Sequence, residues 1–298
     1  MSREPRRLLI YGAKVITGDG RTVLPPCGVL IEGERISAVE VLPAQTPSDP
    51  AAGGDLAGPW QGYTGPVIQA SGGLLLPGLI NAHAHGCTLG PLFASGTPGL
   101  DLQEVRRQLD RHLQHGTTTV LNLDGFALPE DYEALRDHPL RIRWATTHLP
   151  ASFRAAALAD GRGLTENHRT AVARRLLQED GALAVGEVGS GHTLGGGGQE
   201  YLYLPAAVER AVGWRLEPLQ ARRLKEAVLG RYLDPAASDL DRVGRVLQEL
   251  GLAERLTPEQ ARQLVIDTVL PSVQPAREAV HEAARFCRDL GVPMIVHT

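Results

Sequence analysis

From Leu74 onward the chain alternates short apolar runs with amphipathic stretches, and this alternation constrains its fold more than any other feature. The segments LLLPGLINAHAHG, TTTVLNLD, RIRWATTHL, ALAVGEVG and VPMIVHT read as five strands. They are short and rich in Val, Ile, Leu and Thr, as strands covered on both faces must be. Helical patterns separate them. DLQEVRRQLDRHLQHG carries an Asp101–Glu104 capping pattern, an apolar face of Leu102, Val105, Leu109 and Leu113, and a terminating Gly116. A second helix is expected around Glu166 to Glu179, and a third over REAVHEAARFCRDLG. Strand–helix–strand repetition of this kind builds a parallel sheet, so the fold class is α/β.

What precedes is different. Residues 7–42 read as short strands joined by the turn-rich GDGR and by a Gly-Glu turn, and 43–66 are rich in Pro, Gly and Ala. The expectation is a partial β-sandwich over 1–72 and a strand–helix domain over 73–298. Between the fourth and fifth strands, roughly 195–275, lies an interruption that opens on Gly195–Gly198 and continues as helices. One of these begins at Thr257-Pro258-Glu259-Gln260, with Thr as N-cap and Pro in the first helical position. A lid and a stabilising excursion are both open readings of this insertion.

Charge excludes some functions. Thirty basic against 34 acidic side chains give a net charge of −4, with no like-charge block, so neither nucleic acid nor an anionic membrane is an expected partner. No run approaches a membrane span, and three widely spaced cysteines, Cys27, Cys87 and Cys287, suit a reducing cytoplasm.

The chemistry concentrates at strand ends. In Leu76-Pro77-Gly78-Leu79-Ile80-Asn81-Ala82-His83-Ala84-His85-Gly86, two histidines stand two residues apart. Strand side chains two apart share a face, so both imidazoles can address one ion, zinc or a neighbour in hardness. Glu187 ends the fourth strand in Val185-Gly186-Glu187-Val188-Gly189, and His297 ends the fifth. His148 and His192 follow the third and fourth strands, where barrel enzymes gather substrate groups. Asp124 closes the second strand; its Asp-Gly context reads as a turn, with a rim carboxylate as the alternative. Cys87 reads as a neutral, partly buried thiol, with a thiolate ligand as the alternative.

The His83–His85 segment resembles the first-strand metal motif of the amidohydrolase superfamily, metal-dependent hydrolases on (β/α)8 barrels. The likeness covers residues 7–42, 70–87, 115–124, 182–191 and 291–298. It implies a divalent metal cofactor, most simply zinc as one or two ions, held by His83, His85, Glu187 and His297. The family places a carboxylated lysine or a glutamate on the fourth strand. The only lysines here are Lys14 and Lys225, so the resemblance gives that role to Glu187. It implies hydrolysis of an amide or other non-peptide C–N bond in a small molecule. The Gly-Glu-Val-Gly strand and late His-Thr are similar to enamidase-like members acting on cyclic amides; a metal-dependent deaminase is the alternative.

The family pattern continues with a sixth-strand histidine and an eighth-strand aspartate, and this sequence contains neither. Once the insertion is set aside, about 140 residues follow Pro77, room for four to five βα units at about 30 residues each. Eight strands need about 250. The expectation is therefore an incomplete TIM-type barrel of about five parallel strands, with no catalytic base assigned. A truncated product, a split enzyme completed by another chain, and a sequence short of its true end are all open. Activity would then require the missing strands; a catalytically incomplete fragment, an assembly partner or a homo-oligomer are the other expectations.

Overall fold

The computed structural model describes residues 6–43, 56, 58–189 and 199–296, in two compact units that divide between Gly78 and Leu79. In the N-terminal unit, β1 (Arg7–Ile16) pairs antiparallel with β2 (Val23–Glu32), which pairs antiparallel with β3 (Arg35–Val41). Two short strands, β4 (Val67–Gln69) and β5 (Leu74–Leu75), run parallel to β1. Among the described residues this is a single sheet, and Trp60 closes it. The indole lies so tightly over Gly28 that a side chain there would overlap the ring, and Leu9, Tyr11, Leu30 and Leu42 complete the cluster.

The first apolar run of the expected barrel divides between the units. Leu74 and Leu75 pair with β1, while β6 (Leu79–Ala84) begins the second unit. Pro77 has no N–H to donate to a ladder, so the strand breaks at Leu76-Pro77-Gly78 and the boundary falls there rather than at 72.

In the second unit, β6, β7 (Thr117–Asn122) and β8 (Arg141–Trp144) form a parallel sheet in chain order. A parallel bridge from Thr146 to Val185 carries the order on to β9 (Val185–Val188), which pairs in parallel with β10 (Met294–Val296). Helix α1 (Leu102–Gln114) starts where Asp101 accepts the Glu104 N–H at 2.8 Å. It buries Val105 and Leu109 against Val120, Leu135 and Leu140. The third strand stops sooner than the sequence suggested, and α2 (Pro150–Ala159) follows it with Pro in the first helical position. The helix expected at 166–179 is two pieces, α3 (Glu166–Thr170) and α4 (Ala173–Gln178), because Ala171 and Val172 are extended.

The interruption folds as α5 (Leu204–Val212), α6 (Pro218–Leu229), α7 (Leu240–Glu249) and the first half of α8 (Pro258–Leu290). Thr257 and Gln260 form the expected capping box at its start, with bonds of 2.9 and 3.2 Å. The helix then runs unbroken through Pro271 and Pro275, past the expected insertion boundary at 275. Its buried residues explain the continuity. Ala261, Val265 and Val269 pack among the insertion helices, whereas Ala283 and Cys287 pack on Val185 and Val188 of β9. One helix thereby belongs to two cores. Glu282 also accepts the Ala151 N–H at the start of α2, at 2.8 Å. No described helix is long and apolar enough to cross a membrane.

Leu247 is fully enclosed among the insertion helices. Leu247→Ala is expected to destabilise the protein by about 2–5 kcal/mol, the usual cost of a buried leucine cavity. Urea unfolding reads this directly; a change below about 1 kcal/mol would mean that the insertion has no packed core of its own.

Candidate metal centre

His83 lies in β6 and His85 just beyond it, and their rings meet edge to face with centroids 5.3 Å apart. Glu187, from β9, comes between them. His83 Nε2 is 3.0 Å from one carboxylate oxygen and His85 Nε2 is 3.4 Å from the other. Ligand atoms of the three residues lie within 4.8 Å of one another, and they are the one group of three such donors among the described residues. Two imidazoles and a carboxylate are a donor set for zinc and similar divalent ions. Burial makes the fit stronger. The Glu187 side chain is wholly inaccessible, and a buried carboxylate requires positive charge or donors close by.

The approach depends on curvature of the sheet. Three strand spacings, about 14 Å in a flat sheet, separate β6 from β9. The Glu187 N–H bonds the Leu123 carbonyl at 3.1 Å although Leu123 follows β7, two strands away. Small residues permit this. Ala145 and Ala184 pack with Leu123, Leu121 and Ile295 where larger side chains would hold the strands apart.

Asp124 has a larger part than a turn residue. It is fully buried and accepts from His85 Nδ1 at 2.9 Å, from the Gly86 N–H at 2.9 Å and from the Phe93 N–H at 3.1 Å. Burial alone would lower the His85 pKa; the hydrogen bonds to Asp124 and Glu187 overcome it and lift the value to about 9. Cys87 is fully buried, and burial pushes its thiol up to about 12, in keeping with a neutral thiol rather than a ligand. Neither lysine is on β9: Lys225 is in α6, where it is buried against Glu200 at 2.7 Å and Gln199 at 3.1 Å.

His148 is also buried. Its Nδ1 meets the Thr146 hydroxyl at 2.8 Å, its ring contacts Phe126 and Phe153, and the His168 ring stacks on it with centroids 6.3 Å apart. Among the described residues, no protein partner reaches Nε2 of either imidazole. Burial, reinforced by His168, depresses the His148 pKa to about 3, and burial lowers that of His168 despite Glu130. His115 caps α1, and His138 pairs with Asp110 at 3.2 Å. His192 and His297 lie outside the described residues.

No protein-family model matches the chain. A stretch of 78 residues is 33% identical to adenine deaminase from Chelativorans sp. (strain BNC1), covering 26% of this chain and 10% of that enzyme's length. Among solved structures, a prolidase complexed with N-methylphosphonate-L-proline shares 17% identity at a TM-score of 0.39, over 97% of this chain and 77% of its own. An amidohydrolase shares 17% at a TM-score of 0.40, over 98% and 78%. The N-acetyl-D-glucosamine-6-phosphate deacetylase of Mycobacterium smegmatis shares 22% at a TM-score of 0.32, over 60% and 43%.

Within this centre, the HxH spacing and the strand-end glutamate were visible in the sequence, and Asp124 was visible as a turn residue with a rim carboxylate as the alternative. A carboxylate closing the strand beside an HxH strand is the signal that could have marked it.

The buried imidazoles generate a pH prediction. His148 is neutral in the folded chain down to about pH 3 but takes up a proton near its ordinary value of 6.5 once unfolded. Its contribution is therefore fully present above pH 6.5 and is lost as pH falls toward 3, by up to about 1.4 kcal/mol per pH unit. Urea midpoints between pH 7 and 4 should show that slope, and His148→Gln should flatten it. An equal slope in the variant would show that His148 is not held neutral.

Proposed function

We propose that the chain is the metal-binding portion of an amidohydrolase-superfamily hydrolase built on a (β/α)8-type barrel. Its substrate is a small molecule with an amide, cyclic amide or related non-peptide C–N bond. The observation that carries this reading is the convergence of His83, His85 and Glu187, with ligand atoms within 4.8 Å. His297, which ends the fifth strand in the sequence, is the fourth ligand of the proposal. A divalent ion in such a site, zinc by preference, polarises a carbonyl and lowers the pKa of water.

The chain's own residues have separate tasks. His83 and His85 would offer ring-nitrogen donors to the ion, and Glu187 would supply the negative charge that retains a cation in a buried place. His148 and His192, at the ends of the third and fourth strands, are the proposed substrate-facing residues. Nε2 of His148, buried and without a partner among the described residues, supports its assignment because such a group recovers its lost hydrogen bond from a ligand or water. A complementing chain or a second copy would pair at β6, which among the described residues has a strand on one side only and whose Leu79 and Ile80 are 53% and 72% exposed. The reading places the protein in the cytoplasm.

Metal analysis and a hydrolase assay against cyclic amides test the proposal. Purified chain should hold close to one equivalent of zinc or more, and His83→Ala should remove it together with any turnover. Absence of metal from wild-type protein reconstituted with zinc would overturn the reading. Stoichiometric zinc without turnover would favour a catalytically incomplete fragment.

A second reading is deamination of an amino-substituted ring. The 78-residue similarity to an adenine deaminase favours it, and the same centre would serve. Ammonia release from adenine, set beside ring-opening of cyclic amides, separates the two.

A further inference from the structure

We propose that Asp124 is a positioning residue that makes His85 a metal ligand through Nε2, and that the loop after His85 is the second arm of the same clamp. The proposal rests on the metal reading for the ion itself; the clamp is a property of the chain.

Both Asp124 oxygens act as acceptors. One takes the Phe93 N–H at 3.1 Å together with His85 Nδ1 at 2.9 Å, and the other takes the Gly86 N–H at 2.9 Å. With a carboxylate oxygen on that side, Nδ1 of His85 carries the proton. An ion that displaces the other ring proton then finds the lone pair on Nε2, the nitrogen 3.4 Å from Glu187. Ring orientation, and the choice of Nε2 rather than Nδ1 as the nitrogen left to an ion, are thus set before any ion arrives, as an outer carboxylate does for ligating histidines in general.

The loop is held by the same carboxylate. Phe93 has φ of 56°, a left-handed conformation that a bulky residue adopts only when its surroundings impose it. Its N–H is the one bonded to Asp124, and the Leu92–Thr97 bridge closes the turn around it with bonds of 2.8 and 3.1 Å. So placed, the Phe93 ring lies against His85, with centroids 5.1 Å apart. Asp124 therefore fixes one edge of the imidazole directly and, through Phe93, supports its face.

Zinc affinity of the full chain, measured by chelator competition, tests the clamp, with nitrogen NMR of isotope-labelled, zinc-loaded protein as the second readout. Asp124→Asn puts an amide NH2 among donors, so it should weaken zinc binding about 10- to 100-fold. Wild-type His85 should show coordination through Nε2 and a protonated Nδ1 protected from exchange. An Asp124→Asn protein that folds and binds zinc within about twofold of wild type would overturn the proposal. Should that variant fail to fold, the wild-type spectrum decides, because coordination through Nδ1 would overturn it equally. His83→Ala keeps the two readings apart. If it leaves zinc affinity unchanged, the metal centre itself is refuted; if it abolishes binding while Asp124→Asn does not, the clamp alone fails.

Discussion

A buried carboxylate from the fourth parallel strand touches an imidazole from the first, and much of the second unit serves that contact. Glu187 is inaccessible to solvent and 3.0 Å from His83. A lone carboxylate in that position would be strongly unfavourable, so the arrangement holds only with donors or a cation beside it. It also requires a curled sheet, because strands three apart in a flat one are about 14 Å from each other. Alanines at 145 and 184 permit the curl, and the Glu187 N–H bonded to the Leu123 carbonyl registers it.

The surrounding elements are arranged to keep β9 in place. Val185 and Val188 pack under the second half of α8, whose first half is anchored among the insertion helices. The insertion is thus joined, through one helix, to the strand that presents Glu187. Glu282 of α8 also caps α2, which follows the third strand and its buried His148. Mechanical continuity runs from the insertion core to the strand ends that present Glu187 and the buried His148.

Much of this was legible from spacing. Alternation located the parallel strands, the capping pattern at Asp101 marked α1, and Thr257 to Gln260 marked the start of α8. Two histidines two apart, and a glutamate in an apolar strand end, named the residues that meet. Other features left weaker traces. Pro271 and Pro275 argue locally for a break, yet α8 passes through them because burial on both sides outweighs a lost backbone bond or two. The strand break at Pro77 was visible as a proline but not as a boundary, since only pairing with β1 assigns Leu74 and Leu75 to the first unit. Asp124 read first as a turn, with a rim carboxylate as the alternative, because its three donors come from His85, Gly86 and Phe93, more than thirty residues earlier.

By itself the sequence determined which side chains could bind an ion, because ligand chemistry and the two-residue strand period are local properties. It likewise determined the parallel strand–helix order, which follows from where apolar residues recur. Tertiary structure decided which of those residues share a space: how far the sheet curls, which oxygen of Glu187 faces which ring, and which nitrogen of His85 faces Asp124. The distances and the nitrogen of His85 turned toward Asp124 depend on segments remote in the chain, and packing of small against large side chains sets them.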